Sequence, residues 1–305
     1  MKGFIVPKRG EKRAIAEALF VTVLWSSSWV LIRLGLPDAP PLTFAGLRYS
    51  LAFICLAPVA ATPVRRAELS RLRRRDWAAL CALGLVFYTV TQGAQFLALA
   101  HLPAQTASLI LSFSPVAVAL LSAAFIGERP RPRQLAGVSM YLLGAALFLL
   151  PVAASRGHGL GLTVAAAGMV ANAVSSVLGR YVNRSLPASP VTITVVSMGI
   201  GAAVLLAVGI AVEGAPVLST RFIAILMWLS IVNTALAFTV WNRTLATLSA
   251  LASSVINGTM LIQIAVLAWI FLDESPGPRQ LLGLLLAAVG GLIVQTVSVR
   301  DRVRT

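Results

Sequence analysis

Charge is what this chain has least of. Asp, Glu, Lys and Arg make up only 11% of its 305 residues, whereas 58% are hydrophobic. Soluble domains hold roughly half apolar and a quarter charged residues. A soluble fold of this length could not hide so much apolar side chain, so a water-soluble enzyme or binding module is excluded. A bilayer removes the difficulty, because one span takes about 20 mostly apolar residues. Acid is scarcer still. The ten carboxylates are Glu11, Glu17, Asp38, Glu68, Asp76, Glu128, Glu213, Asp273, Glu274 and Asp301, and none lies near the middle of an apolar run. Histidine and cysteine number two each. His101 and His158 fall in polar breaks and Cys55 and Cys81 in apolar runs, with no spacing that makes a metal site or a disulfide framework. No metal and no cofactor is expected. A membrane-embedded enzyme needs a buried constellation of histidine, carboxylate or metal, so no catalytic residue is assigned.

What the chain does have is base and apolar length. A net charge of +15 on a soluble protein would suggest nucleic acid. Here the cations sit in short breaks between ten apolar windows: 14–32, 41–61, 77–99, 104–126, 134–152, 160–182, 190–212, 221–241, 248–272 and 279–297. The basic start imitates a signal peptide, but the run from Ala14 to Ile32 is longer than a signal core and reads as a retained helix. Twenty of the 25 Lys and Arg fall in segments that a cytoplasmic N-terminus leaves inside: 1–13, 62–76, 127–133, Arg180 and Arg184, Arg243, and Arg300 to Arg304. Four (Arg33, Arg156, Arg221 and Arg279) fall outside, and Arg48 lies within a span. This bias predicts both termini in the cytoplasm.

The chain also repeats itself. Gly127-Glu128-Arg129-Pro130-Arg131-Pro132-Arg133-Gln134-Leu135 returns 146 residues later as Asp273-Glu274-Ser275-Pro276-Gly277-Pro278-Arg279-Gln280-Leu281. Gly144 and Gly290, Leu99 and Leu245, and Ser108 and Ser254 keep that offset. A duplicated unit of five helices, an odd number, enters the membrane from opposite sides in its two copies. The expected fold is therefore an all-α integral membrane protein of ten transmembrane helices, arranged as two inverted five-helix repeats at 14–152 and 160–297. A cytoplasmic segment at 1–13 and a tail at 298–305 flank them. Inverted repeats are typical of transporters with a midplane site between the halves.

Several stretches are recognisable. Trp25-Ser26-Ser27-Ser28-Trp29, Pro41-Leu42-Thr43-Phe44 leading to Arg48, Ser114-Pro115, Trp241-Asn242 and the two Glu-containing turns resemble the EamA-type transporters of the drug/metabolite transporter superfamily. The resemblance covers nearly the whole chain. It implies a carrier of small metabolites in a bacterial inner membrane, partnered by its solute and the bilayer; the loop placement of the cations leaves no role for nucleic acid, and a monomer is one of the oligomeric states open to it. The pattern departs at Leu261, where the repeat mate of Pro115 is often proline, so a symmetric hinge in spans four and nine lacks its second proline.

The polar residues inside the spans narrow the chemistry. Proton-coupled antiport usually needs a buried carboxylate. Glu17, near the start of span one, is the only acid within a helix and reads as a solvated helix-start residue, so facilitated efflux is expected. Arg48 costs about 2.5–3.5 kcal/mol on insertion scales at a span centre. It either meets a substrate carboxylate or caps carbonyls of neighbouring helices. The second reading is preferred, because the resembled family carries this Arg with differing substrates. Candidate lining residues are Trp29, Tyr88, Gln92, Gln95, Ser108, Asn172, Ser176, Trp241 and Asn257, with Ser28, Ser175, Asn233, Thr234 and Gln263 beside them. Tyr88, Gln92 and Gln95 share one helix face, and most hydroxyls can simply bond back to their own helix. Sugar-phosphate carriers need several buried cations, and only Arg48 exists. Neutral or zwitterionic metabolites, amino acids above all, exported by alternating access, are the leading class. A proton-coupled multidrug efflux carrier is the alternative.

Overall fold

A computed structural model of the chain describes residues 9–114, 116–117, 132–153, 158–245, 247–248 and 250–302, and every regular element among them is helical. These are α1 (Arg9–Gly35), α2 (Pro41–Ala60), α3 (Pro63–Ser70), α4 (Arg74–His101), α5 (Ala104–Leu111), α6 (Pro132–Ala153), α7 (Gly159–Ser185) and α8 (Pro190–Glu213). α9 runs through Thr220–Ser230, Ile231–Leu236 and Ala237–Leu245, and α10 (Ala250–Gly258), α11 (Met260–Leu272) and α12 (Pro278–Arg302) follow. Proline opens α2, α3 and α8, where its missing N–H costs nothing.

Seven stretches are long and apolar enough to cross a bilayer, and two shorter apolar helices, Leu135–Phe148 and Pro278–Val294, lie in the fifth and tenth windows. The fourth window is described at 104–114 and 116–117. Leu142, Leu143, Trp269, Ile270 and Phe271 are each more than half exposed. Outward apolar faces of that extent suit lipid rather than water.

Two antiparallel helix pairs organise the molecule. In the α2–α8 pair, a Cβ on Gly46 would lie 2.5 Å from Leu206 Cα, and one on Gly209 would lie 2.5 Å from Thr43 N. Gly199 faces Phe53 further along, so the two helices run in opposite directions. In the α6–α12 pair, Gly144 meets Ala287 N and Gly290 meets Tyr141 N, each at 2.5 Å from the missing Cβ. Such backbone approach is the use of small residues in membrane helix packing. Both pairs join repeat-equivalent helices.

Carboxylates tie the same halves end to end. Glu213, the last residue of α8, accepts the Leu42 N–H (2.8 Å) and the Thr43 N–H (3.2 Å) at the start of α2. Glu68, on the short helix α3, accepts the Ser189 N–H (3.1 Å) at the start of α8, with the Ser189 and Thr192 hydroxyls. Glu274, after α11, accepts the Ala104 and Gln105 N–H groups of α5 at 2.8 and 3.1 Å. Each negative side chain therefore meets the positive, unsatisfied end of a helix from the other repeat. Glu128, the repeat mate of Glu274, lies outside the described residues.

Two elements differ from the sequence reading. The Arg-rich break at 62–76 contains the helix α3. The ninth window is broken at Thr259, without a proline: the Thr259 N–H and hydroxyl both donate to Ile256 O, at 3.1 and 2.6 Å. The fourth window turns at the equivalent place, where the Phe113 N–H reaches Ile110 O. Where the repeat lacks its second proline, the matching break is made by a threonine hydroxyl that competes for a helix carbonyl.

Candidate functional site

α4 and α9 are repeat-equivalent, and each widens at mid-length into a π-helical segment, Gly84–Thr91 and Ile231–Leu236. Such segments are rare and frequent at functional sites. In each, a threonine hydroxyl donates to the carbonyl five residues back: Thr91 to Val86 O and Thr234 to Leu229 O, both at 2.8 Å. Packing sets the first segment, because Gly84 lies against the α8 backbone, 2.5 Å from Ser197 O at its missing Cβ.

A cavity of about 240 Å³ opens beside this segment, lined by Leu83, Phe87 and Tyr88 from the first repeat. The second repeat supplies Ser175, Ser176, Gly179, Asn183, Ile193, Thr194, Ser197 and Phe238. It reaches from Tyr88, midway along α4, to Asn183 and Ile193 beside the turn between α7 and α8. That turn lies on the face where α1 begins, here termed the N-side. None of the described lining residues is charged.

A second polar group lies deeper, toward the far side, and is closed. Arg48 is only 4% exposed. Its Nε donates to Thr234 Oγ1 at 3.1 Å and its Nη2 to Ser28 Oγ at 3.3 Å. Asn233 Nδ2 donates to Ser28 Oγ (2.9 Å), Ser27 Oγ (3.1 Å) and Leu24 O (2.6 Å). Asn233 Oδ1, fully buried, has no hydrogen-bond partner among the described residues. The Arg48 guanidinium sits 5.2 Å from the Tyr49 ring centre, and that ring meets Tyr88 edge to face at 5.6 Å. The Tyr49 hydroxyl donates to Gln92 Oε1 at 2.6 Å. Two rings thus link the closed cluster to the cavity.

The structure disperses the other sequence candidates. Trp29 is buried in the main core. Trp241 is half-buried and tilts against Trp25 (5.2 Å), which also meets the cavity residue Phe238 (5.5 Å). Gln95 is half-buried beyond Gln92. Ser108 bonds back to Gln105 O at 2.9 Å, and Ser176, exposed at the cavity, bonds back to Asn172 O at 2.8 Å. Asn172 Nδ2 reaches Ser114 Oγ (3.0 Å), and Asn257 is exposed. Gln263 joins α1 to α11, accepting from Ser26 Oγ (2.9 Å) and donating to Thr22 Oγ1 (3.2 Å). Glu17 is paired, with Arg13 Nε at 2.9 Å and Arg243 Nη2 at 2.8 Å, which ties the N-side ends of α1 and α9 together. Sequence reasoning passed over Tyr49, Thr194 and Ser197. For Tyr49 a signal existed, since a phenol within an apolar span needs a partner.

Opposed helix pairs joining two repeats, with an uncharged cavity between them, define a multi-pass membrane transport protein. The chain belongs to the EamA-like transporter family, whose model matches it twice, at residues 12–150 and 159–296. A "probable terminal-alkyne amino-acid exporter" of Streptantibioticus cattleyicolor is 30% identical over 92% of this chain and 93% of its own. A "probable amino-acid metabolite efflux pump" of Escherichia coli is 26% identical, covering 90% of this chain and 91% of that one. A crystal structure matches with a TM-score of 0.64 at 23% identity, over 95% of this chain and 99% of the other, and so shares the fold.

Proposed function

We propose that the protein exports small neutral or zwitterionic metabolites, amino acids above all, by alternating access. It does so as ten spans in two inverted five-helix repeats, in a bacterial inner membrane, with both termini in the cytoplasm. One observation carries this reading: the cavity between the repeats is lined by hydroxyls, an amide and aromatic rings, without a charged side chain. A lining of that kind suits a solute of balanced charge, whereas a cationic drug would be better served by a buried acid or an aromatic cage. The names of the two relatives point the same way. The pairing of Glu17 with two arginines supports efflux down the solute's own gradient, because a carboxylate so held is poorly placed to cycle a proton.

Counterflow in proteoliposomes tests the proposal. Vesicles preloaded with one unlabelled amino acid should accumulate the labelled form several-fold over protein-free vesicles, and a protonophore should leave that accumulation unchanged. If none of the twenty amino acids gives counterflow, the solute class is wrong.

A further inference from the structure

The cavity and the closed cluster are made from matching positions of the two repeats. On the 146-residue offset, the cavity residues Phe87 and Tyr88 correspond to Asn233 and Thr234, and Phe238 corresponds to Gln92. Aligning the starts of α2 and α8, Pro41-Leu42-Thr43 with Pro190-Val191-Thr192, sets Arg48 opposite Ser197. The serine pair Ser27-Ser28 of α1 answers to Ser175-Ser176 of α7. The polar members of the closed cluster are therefore counterparts of residues that line an open space. In an inverted repeat, the two sets exchange roles when the transporter turns over.

The exchange is chemically unequal, because only the closed set contains a cation. Arg48 is buried with hydroxyl partners and a ring, and among the described residues its hydrogen bonds are to Thr234 and Ser28. An Arg held in the membrane by neutral groups alone lacks its strongest partner, a carboxylate that takes two parallel hydrogen bonds from the guanidinium fork. Beside it, Asn233 Oδ1 is a fully buried acceptor without a donor among the described residues, and Asn233 and Arg48 meet on the same Ser28 hydroxyl. A spare cation and a spare acceptor around one hydroxyl are complementary to a group that carries an anion and an N–H donor next to each other.

The geometry points to this cluster as a headgroup site for an α-amino acid: Arg48 takes the carboxylate and Asn233 Oδ1 takes the ammonium. This assignment rests on the amino-acid reading above and names where that solute is held. Tyr49 and Tyr88 stand between the cluster and the N-side cavity, so the headgroup reaches Arg48 only when the two rings part.

Purified protein is melted with each of the twenty L-amino acids and with the corresponding carboxamides, which keep the ammonium and lose the anion. At least one amino acid should bind the wild type at least ten-fold more tightly than its carboxamide. Arg48→Met should bring that ratio close to one while leaving carboxamide binding within about two-fold. Asn233→Leu should weaken acid and carboxamide together. If Arg48→Met does not assemble, Arg48→Lys serves instead, because it keeps the charge without the fork and should lower the ratio several-fold. If acid and amide bind the wild type equally, or an Arg48 variant weakens both alike, Arg48 is a structural tie and the assignment is wrong. If no amino acid binds the wild type at all, the broader amino-acid reading fails first and takes this one with it.

Discussion

A single hydroxyl or carboxylate in this protein does work that an apolar side chain of the same shape could not. Tyr49 and Gln92 are both buried and bonded to each other at 2.6 Å. Tyr49→Phe strands an amide oxygen, which costs about 1–3 kcal/mol in a buried setting. The pair Tyr49→Phe with Gln92→Leu should recover part of that loss in a denaturation series, because neither partner is then left alone. Glu68 is a surface case with a pH signature. Hydrogen bonds from the Thr192 hydroxyl first, then the Ser189 N–H, hold its carboxyl below the ordinary 4.5. A depressed carboxylate stabilises the fold above the unfolded value and loses that contribution as pH falls through the folded one. Glu68→Gln should therefore lower Tm at neutral pH and flatten its decline on acidification, as thermal melts between pH 7 and pH 3 would reveal. An unchanged acid limb would mean that the cap is dispensable.

At the scale of elements, long apolar runs and paired glycines were legible in the residues. Gly144 and Gly290 were found by their offset, and they do mark a close helix pair. Gly290→Ala forces a methyl against Tyr141 N and Gly137 O, both backbone atoms. Overpacking of this kind costs roughly 1–3 kcal/mol and should lower Tm without altering the relative affinities of solutes. The π segments were not legible, because nothing local to Gly84–Thr91 distinguishes it from an α-helical run. Its widening depends on α8, more than a hundred residues away, approaching Gly84. The break at Thr259 was missed for a different reason: proline announces a hinge in sequence, whereas a threonine hydroxyl does so only when its partner carbonyl is known. The period put Tyr88, Gln92 and Gln95 on one face as a lining stripe, yet of the three only Tyr88 borders the cavity. Gln92 is already engaged by Tyr49, which the period could not disclose.

At the scale of the whole molecule, the proposed direction is argued from charge. The proposed orientation, which rests on the sequence count of twenty basic residues in inside segments against four outside, predicts that a fluorescent reporter fused after Thr305, of a type that matures only in the cytoplasm, is bright. A periplasmic phosphatase at the same point should stay silent. A dark fluorescent fusion with an active phosphatase would invert the molecule and reverse the sense of the proposed export.

The reciprocal caps carry a consequence for how the chain is made. The first amides of α2 wait for Glu213, and those of α5 wait for Glu274. Both carboxylates emerge from the ribosome long after the helices they serve. Half of the protein, inserted alone, would expose helix ends that only the other half can satisfy. Residues 1–157 expressed by themselves should be cleared rapidly by membrane proteases, and co-expression of 158–305 should restore their lifetime in a pulse-chase experiment. Glu213→Gln together with Glu274→Gln in the second fragment should weaken that rescue. The reciprocal caps thus predict one unit of assembly, however separable its two copies look on paper.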